Sequence, residues 1–154
     1  MLDLDRKDWV DILLGNVKVH EPIKFRTYSG TRVGDAHSTT MAIVLLVSDR
    51  LVQLWREHGF TGWDTFPVEV YAKDGSRVEG LHGLVVLGRS GPARRSDEDD
   101  PASGFVFDER TWDGSDMFVP EGTLLKCMSP RMAEATLAAK PKNVTIRRIE
   151  DRLI

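Results

Sequence analysis

The sequence predicts an α+β fold: a mixed or antiparallel sheet with two or three helices, readable as two related strand-helix-strand units. Three observations predict it. Short apolar or alternating runs recur along the chain, as half-buried strands require. Two such runs lead directly into a serine and then an amphipathic stretch, the pattern of a capped helix. The whole plan returns 81 positions later. At 154 residues the chain suits one domain, with enough length for a single core.

The elements follow in order. Residues 5 to 14 predict a short helix capped by Asp3 or Asp5 and ended by Gly15, with Trp9, Ile12 and Leu13 on one face. Val17 and Val19, then Ile23, Phe25 and Thr27, alternate as two short strands broken at Pro22. "TRVGDAHSTT" is polar and predicts a loop. "MAIVLLV", Met41 to Val47, predicts a buried strand. Ser48 then caps a helix whose inner face is Leu51, Leu54, Trp55 and His58, and Gly59 ends it. "WDTFPVEVYA" is extended, "KDGS" is a hairpin turn, and "RVEGLHGLVVLG" is the return strand.

Arg89 to Gly104, "RSGPARRSDEDDPASG", has almost no large apolar residue and predicts a long, mobile acidic loop. "FVFD" and "LLKCM" predict strands, with a turn at Asp113-Gly114 before Met117, Phe118 and Val119 enter another. "SPRMAEATLAAK" is a helix with Ser129 as cap and Pro130 in its first turn, and "NVTIRRI" reads as the last strand.

The offset of 81 carries Ser48 to Ser129, Arg50 to Arg131, Leu51 to Met132 and Leu54 to Ala135. It also carries Gly62 to Asn143, two residue types that tolerate a left-handed turn, then Trp63 to Val144 and Val68 to Ile149. A true repeat and the chance likeness of two strand-helix-strand units both fit these identities.

Composition narrows the function. A net charge of −3 gives no overall basic field for nucleic acid. Seven apolar residues in a row do not span a bilayer, and the acidic N-terminus does not read as a secretory signal, so the expected location is cytoplasmic. One cysteine, Cys127, permits neither an internal disulfide nor a thiolate metal cluster, and its apolar setting suggests inert core. His20, His37, His58 and His82 fall in no zinc spacing. No nucleophile elbow, phosphate loop or dinucleotide fingerprint occurs, so neither a catalytic residue nor a cofactor is expected.

Two acidic stretches remain. "RTWDGSDMFVPEG" holds Asp113, Asp116 and Glu121, with Asp108 just upstream. It lacks the ligand ladder of an EF-hand loop, but its carboxylates could approach a hard cation if the chain doubled back. The alternative is a turn in which Asp116 bonds local amides. "DEDD", Asp97 to Asp100, is a solvated acidic run suited to steering a basic partner.

"LLVSDRLVQLWREHGFTGWDTFPVEV", "FVFDERTWDGSDMFVPEG" and "LLKCMSPRMAEATLAAKPKNVTI" together resemble the immunity protein eleven family of bacterial polymorphic-toxin systems, formerly a domain of unknown function. The resemblance covers residues 41 to 88 and 104 to 150, including the Gly114-x-Asp116-x-Phe118 turn before a serine-capped helix. The chain departs from it at Asn143, where a glycine is expected, and in the acidic stretch. The resemblance implies a cytoplasmic antitoxin that binds a cognate protein toxin and masks its active site, with no nucleic-acid or membrane partner. Charge then nominates Asp97, Glu98, Asp99, Asp100, Asp113 and Asp116 as contacts, with Trp112 as an anchor. The alternatives are a metal-dependent hydrolase or nuclease using Asp108, Asp113, Asp116 and Glu121, and a small-ligand or scaffold domain.

Overall fold

Helix α1, Arg6–Leu13, opens the fold. The computed structural model describes residues 4–27, 34–39 and 43–151. Asp5 caps α1 by accepting from the Asp8 amide while Asp8 returns the bond, a reciprocal capping box. Trp9, Ile12 and Leu13 are its buried face, as the spacing predicts. Val17 and Val19 form no strand, because the Asn16 and Val17 amides turn back onto the Asp11 carbonyl. Of the two strands expected there, only β1, Ile23–Arg26, is present.

The stretch read as a polar loop at 31–40 contains strand β2, Ala36–Ser38, antiparallel to β3, Leu45–Ser48. Met41 and Ala42, the start of the apolar run, lie outside the described residues. Ser48 caps α2, Asp49–Glu57, by accepting from the Leu51 amide. Pro67 divides the next segment into β4, Trp63–Phe66, and β5, Val68–Tyr71, which enter different sheets. The Asp74-Gly75 turn leads to β6, Arg77–Val78, and β7 follows at Leu81–Val86.

The expectation of a long acidic loop at 89–104 is corrected in its first part: residues 89–95 are strand, and the acids Asp97–Asp100 lie in the loop that remains, 96–104. Gly88–Arg95 is strand β8, the longest strand among the described residues, and residues 96–104 form the loop that joins it to β9, Phe105–Phe107. Its composition hid it because backbone pairing on both edges, to β9 and β10, holds it rather than side-chain burial. Small residues are needed on its inner face: a Cβ at Gly88 would stand 2.1 Å from the Met117 carbonyl oxygen. Pro92 is accommodated beside a register shift at Pro120/Glu121, where the ladder is already irregular.

A 3-10 turn at Glu109–Thr111 leads to β10, Met117–Glu121, then β11, Cys127–Met128, and α3, Pro130–Ala138, capped by Ser129. The strand expected in "NVTIRRI" is absent: among the described residues 144–148 pair with no strand, and only the Ile149 carbonyl is reached, by the Phe105 amide of β9. The strands form sheets ordered β2-β3-β7-β4, β1-β5-β6 and β11-β10-β8-β9. The α+β class is therefore correct. One apolar cluster, centred on Leu13, Leu51, Trp55, Leu84, Val86 and Met132, draws on all three sheets and helices.

The repeat is built into this architecture. At the 81-residue offset β2 and β3 map onto β10 and β11, and the pair Ala36–Val47 maps onto Met117–Met128. Gly59 and Lys140 both take positive φ, as do Gly62 and Asn143. Trp55 and Thr136 are also equivalent, and they meet: the buried indole N–H donates to the threonine hydroxyl at 3.0 Å.

Candidate functional site

Each half centres on a buried aspartate. Asp35 just precedes β2 and Asp116 just precedes β10. Asp35 accepts from the Ser48 hydroxyl at 2.7 Å and from the Arg50 guanidinium at 3.2 and 2.6 Å. Asp116 accepts from the Ser129 hydroxyl at 2.7 Å and from Arg131 at 2.7 and 2.6 Å. The serine that caps each helix thus also ties it to the aspartate just ahead of β2 or β10, and the arginine two residues on forms a two-pronged ion pair with the same carboxylate.

The two centres cross. The Lys142 amide, from the loop after α3, donates to Asp35 at 2.7 Å, and the Thr61 amide, from the equivalent loop after α2, donates to Asp116 at 2.9 Å. Each half is closed by a backbone group of the other. The close approach leaves room for one Cβ and not two. A Cβ on Gly62 would lie 2.6 Å from that of Ser115, and one on Gly34 would lie 2.8 Å from that of Asn143. These two pairs are themselves equivalent, with glycine on opposite members.

Electrostatics follows from this wiring. The Arg50 guanidinium, with the Lys142 amide and Ser48, holds the Asp35 carboxyl far below the usual carboxylate range. Burial works the other way at Asp116, but Arg131, the Thr61 amide and Ser129 outweigh it and hold the carboxyl at about 2. Every oxygen is occupied, and no buried side-chain polar atom among the described residues lacks a partner. These centres lock the fold and have no spare group for chemistry.

Asp116, expected as a partner contact, is only 3% exposed and spends its oxygens inside the protein. It bonds a distant loop, not the local amides the turn reading suggested. Asp113 accepts from the Ser115 and Arg89 amides, joining the turn to β8. Trp112 is half-buried against Phe118, 5.6 Å between ring centres, and its N–H donates to the Ser115 carbonyl. Asp108 caps the 3-10 turn and pairs with Arg110, and Glu121 is exposed at the end of β10. The four acids proposed for a cation do not gather, and no group of three or more metal-ligating side chains occurs among the described residues.

Asp97, Glu98 and Asp99 are exposed and Asp100 is half-buried, on the turn that joins β8 to β9. Asp97 accepts from the Asp99 amide, Asp100 from the Ala102 amide, and the buried Ser103 hydroxyl donates to the Asp97 carbonyl. Arg95 closes the base of the turn through the Ser103 carbonyl and lies over the Phe105 ring at 4.8 Å. The turn therefore offers its acids from a fixed backbone.

His37 bonds Gly34, His58 bonds the Leu54 carbonyl, and His82 pairs with Asp49. Burial pushes the Cys127 thiol up to about 11, so it is a poor nucleophile. Sequence reading found both serines and both arginines but missed their partner. The signal was present, since Asp35 and Asp116 are identical residues at the same offset. Compared with models of known protein families and with curated proteins, the chain matches none.

Proposed function

We propose that the protein is a protein–protein inhibitor of the antitoxin type, which masks a basic surface on a partner protein toxin. The observation that carries this reading is the acidic turn, whose Asp97, Glu98 and Asp99 are exposed while its backbone is held by the Ser103 hydroxyl and by Arg95 on the Ser103 carbonyl. A preorganised run of carboxylates loses little freedom on contact, and it raises association rate and specificity toward a cationic face. The resemblance of residues 41 to 88 and 104 to 150 to the immunity protein eleven family supplies the class of partner. The ion-paired aspartates and the dispersed Asp108, Asp113 and Glu121 add no competing catalytic reading. Asp116 is removed from the contact set and Trp112 is retained at its margin.

The test uses the tagged protein and a variant carrying Asp97→Lys, Glu98→Lys and Asp99→Lys. Both are passed over lysate of the native host, and retained chains are identified by mass spectrometry. The expected result is a toxin domain retained by the first and lost by the second, with binding that weakens as salt rises. Equal retention by both proteins removes the acidic turn from the interface.

A further inference from the structure

The two halves are built alike but completed differently. In the first, β3 is flanked by β2 on one side and β7 on the other, and β4 lies beyond β7. In the second, β11 is flanked by β10 alone, and residues 144–147, the counterpart of β4, pair with nothing among the described residues. Both ends of that run are nonetheless held. Lys142 and Asn143 bond Asp35 and the Ala36 carbonyl, and the Phe105 amide bonds the Ile149 carbonyl as Ile23 bonds Pro67, with the offset grown by one residue.

Burial reports the vacancy. Ile43, Val44, Leu46 and Val47 are all buried, whereas their counterparts Leu124, Leu125, Cys127 and Met128 are all half-exposed. The backbone reports it too. The Ser129 amide bonds the Asp116 carbonyl at 2.6 Å, and bonded pairs alternate along an antiparallel ladder, so the Met128 N–H and C=O face away from β10. Val47, its counterpart, pairs with His82 of β7. No partner for the Met128 groups occurs among the described residues.

We propose that the open edge of β11 is a strand-docking site, which takes an extended apolar segment of a partner polypeptide in the place that β7 holds in the first half. The internal symmetry specifies the occupant. It runs antiparallel to β11 and carries apolar residues toward Leu124 and Met128. It differs from β7 at one position. Phe66 stacks over Gly83, where a Cβ would lie 2.1 Å from the ring, but the residues that correspond to Phe66 by sequence offset are Arg147 and Arg148, both exposed. Guanidinium replaces ring, so the occupant bears a carboxylate where β7 has glycine. The site is separate from the acidic turn and does not depend on it.

The probe is a synthetic peptide of residues 79–89 with Gly83→Glu, compared with the same peptide carrying Gly83→Lys. Binding to the full chain is followed by calorimetry and by amide-resolved hydrogen exchange. The expected result is saturable binding, at least tenfold slower exchange of the Met128 amide, and affinity for the glutamate peptide about two- to fivefold above that for the lysine peptide. A Lys126→Pro variant, which obstructs the same edge one residue pair away, loses the binding with an unchanged melting curve. Absence of binding by both peptides overturns the proposal. So does binding without protection of Met128, or undiminished binding by the folded Lys126→Pro variant. A Met128 amide already protected in a protein that sediments as a dimer also overturns it, because a second copy then covers the edge.

Discussion

The first half of the molecule hides its β3 strand under β7, while the second leaves the matching β11 half-exposed, though the same aspartate, serine and arginine hold both. The difference separates what the repeat needs from what it can vary. The ion-paired centre fixes the angle between strand and helix in both halves. The neighbouring strand is added to that frame and is not required to form it. Even the arginines diverge at their outer edges. Arg50 reaches the Ala139 carbonyl at the end of α3 at 2.8 Å, whereas Arg131 lies over the Phe60 ring at 5.0 Å.

The comparison is broken most severely at Gly62. Replacing it with the residue of the other half, Gly62→Asn, drives a Cβ to 2.1 Å from the Met117 carbonyl oxygen and into Ser115. Urea unfolding is expected to show a loss of about 4 kcal/mol from overpacking at a left-handed position. Adding Ser115→Gly should restore part of it. A Gly62→Asn protein as stable as the parent would mean that the one-Cβ rule at the crossing is incorrect.

Next come the aspartates. Asp35→Ala and Asp116→Ala each leave a serine hydroxyl and a loop amide without their acceptor, and each is expected to cost about 3 kcal/mol. The two losses should agree to within about 1 kcal/mol. A much larger gap would show that only one centre locks the fold.

Acid probes the same carboxyls without mutation. Both have folded-state pKa values below those of the unfolded chain, so their contribution is complete above about pH 4 and is lost as pH falls toward 2. For Asp116 the loss is about 2 kcal/mol, from a carboxyl held at about 2 against an ordinary value of 3.8. Stability measured from pH 5 to pH 2 should fall less steeply in Asp116→Ala than in the parent. Parallel curves would show that the pair does not govern acid stability.

The smallest effect sharpens the contrast between the arginines. Lysine cannot make the two-pronged pair, so Arg131→Lys should cost about 1 kcal/mol. Arg50→Lys should cost about 0.5 kcal/mol more, because the bond to Ala139 goes as well. Equal costs from paired melting curves would mean that the contact with α3 adds nothing.

Local signals in the chain were strong where chemistry is local. Ser48 and Ser129 announce their helices, Asp74-Gly75 its hairpin, and the 81-residue offset the relation between α2 and α3. β8 was illegible because pattern reading depends on apolar side chains, and Gly88, Ser90 and Pro92 are held by their backbone. "NVTIRRI" misled for the opposite reason, since it has a strand's pattern but, among the described residues, only Ile149 at its end meets a strand, through the Phe105 amide. The centres were half legible. Serine and arginine stand at helix starts, where meaning is local, whereas Asp116 looked like an ordinary turn acid, and its partner at Thr61 is 55 residues away.

The crossing of the two centres also sets an order of events during synthesis. Asp35, Ser48 and Arg50 emerge early, but the amide that completes their centre belongs to Lys142, 107 residues later. Until that residue leaves the ribosome, the first half holds an ion pair with one side open, and its α2–β4 loop waits for Asp116. The molecule is thus a pair of buckles, each fastened by the other's strap, which cannot close one at a time. A truncation that spares the whole first half should still fail to produce a stable one.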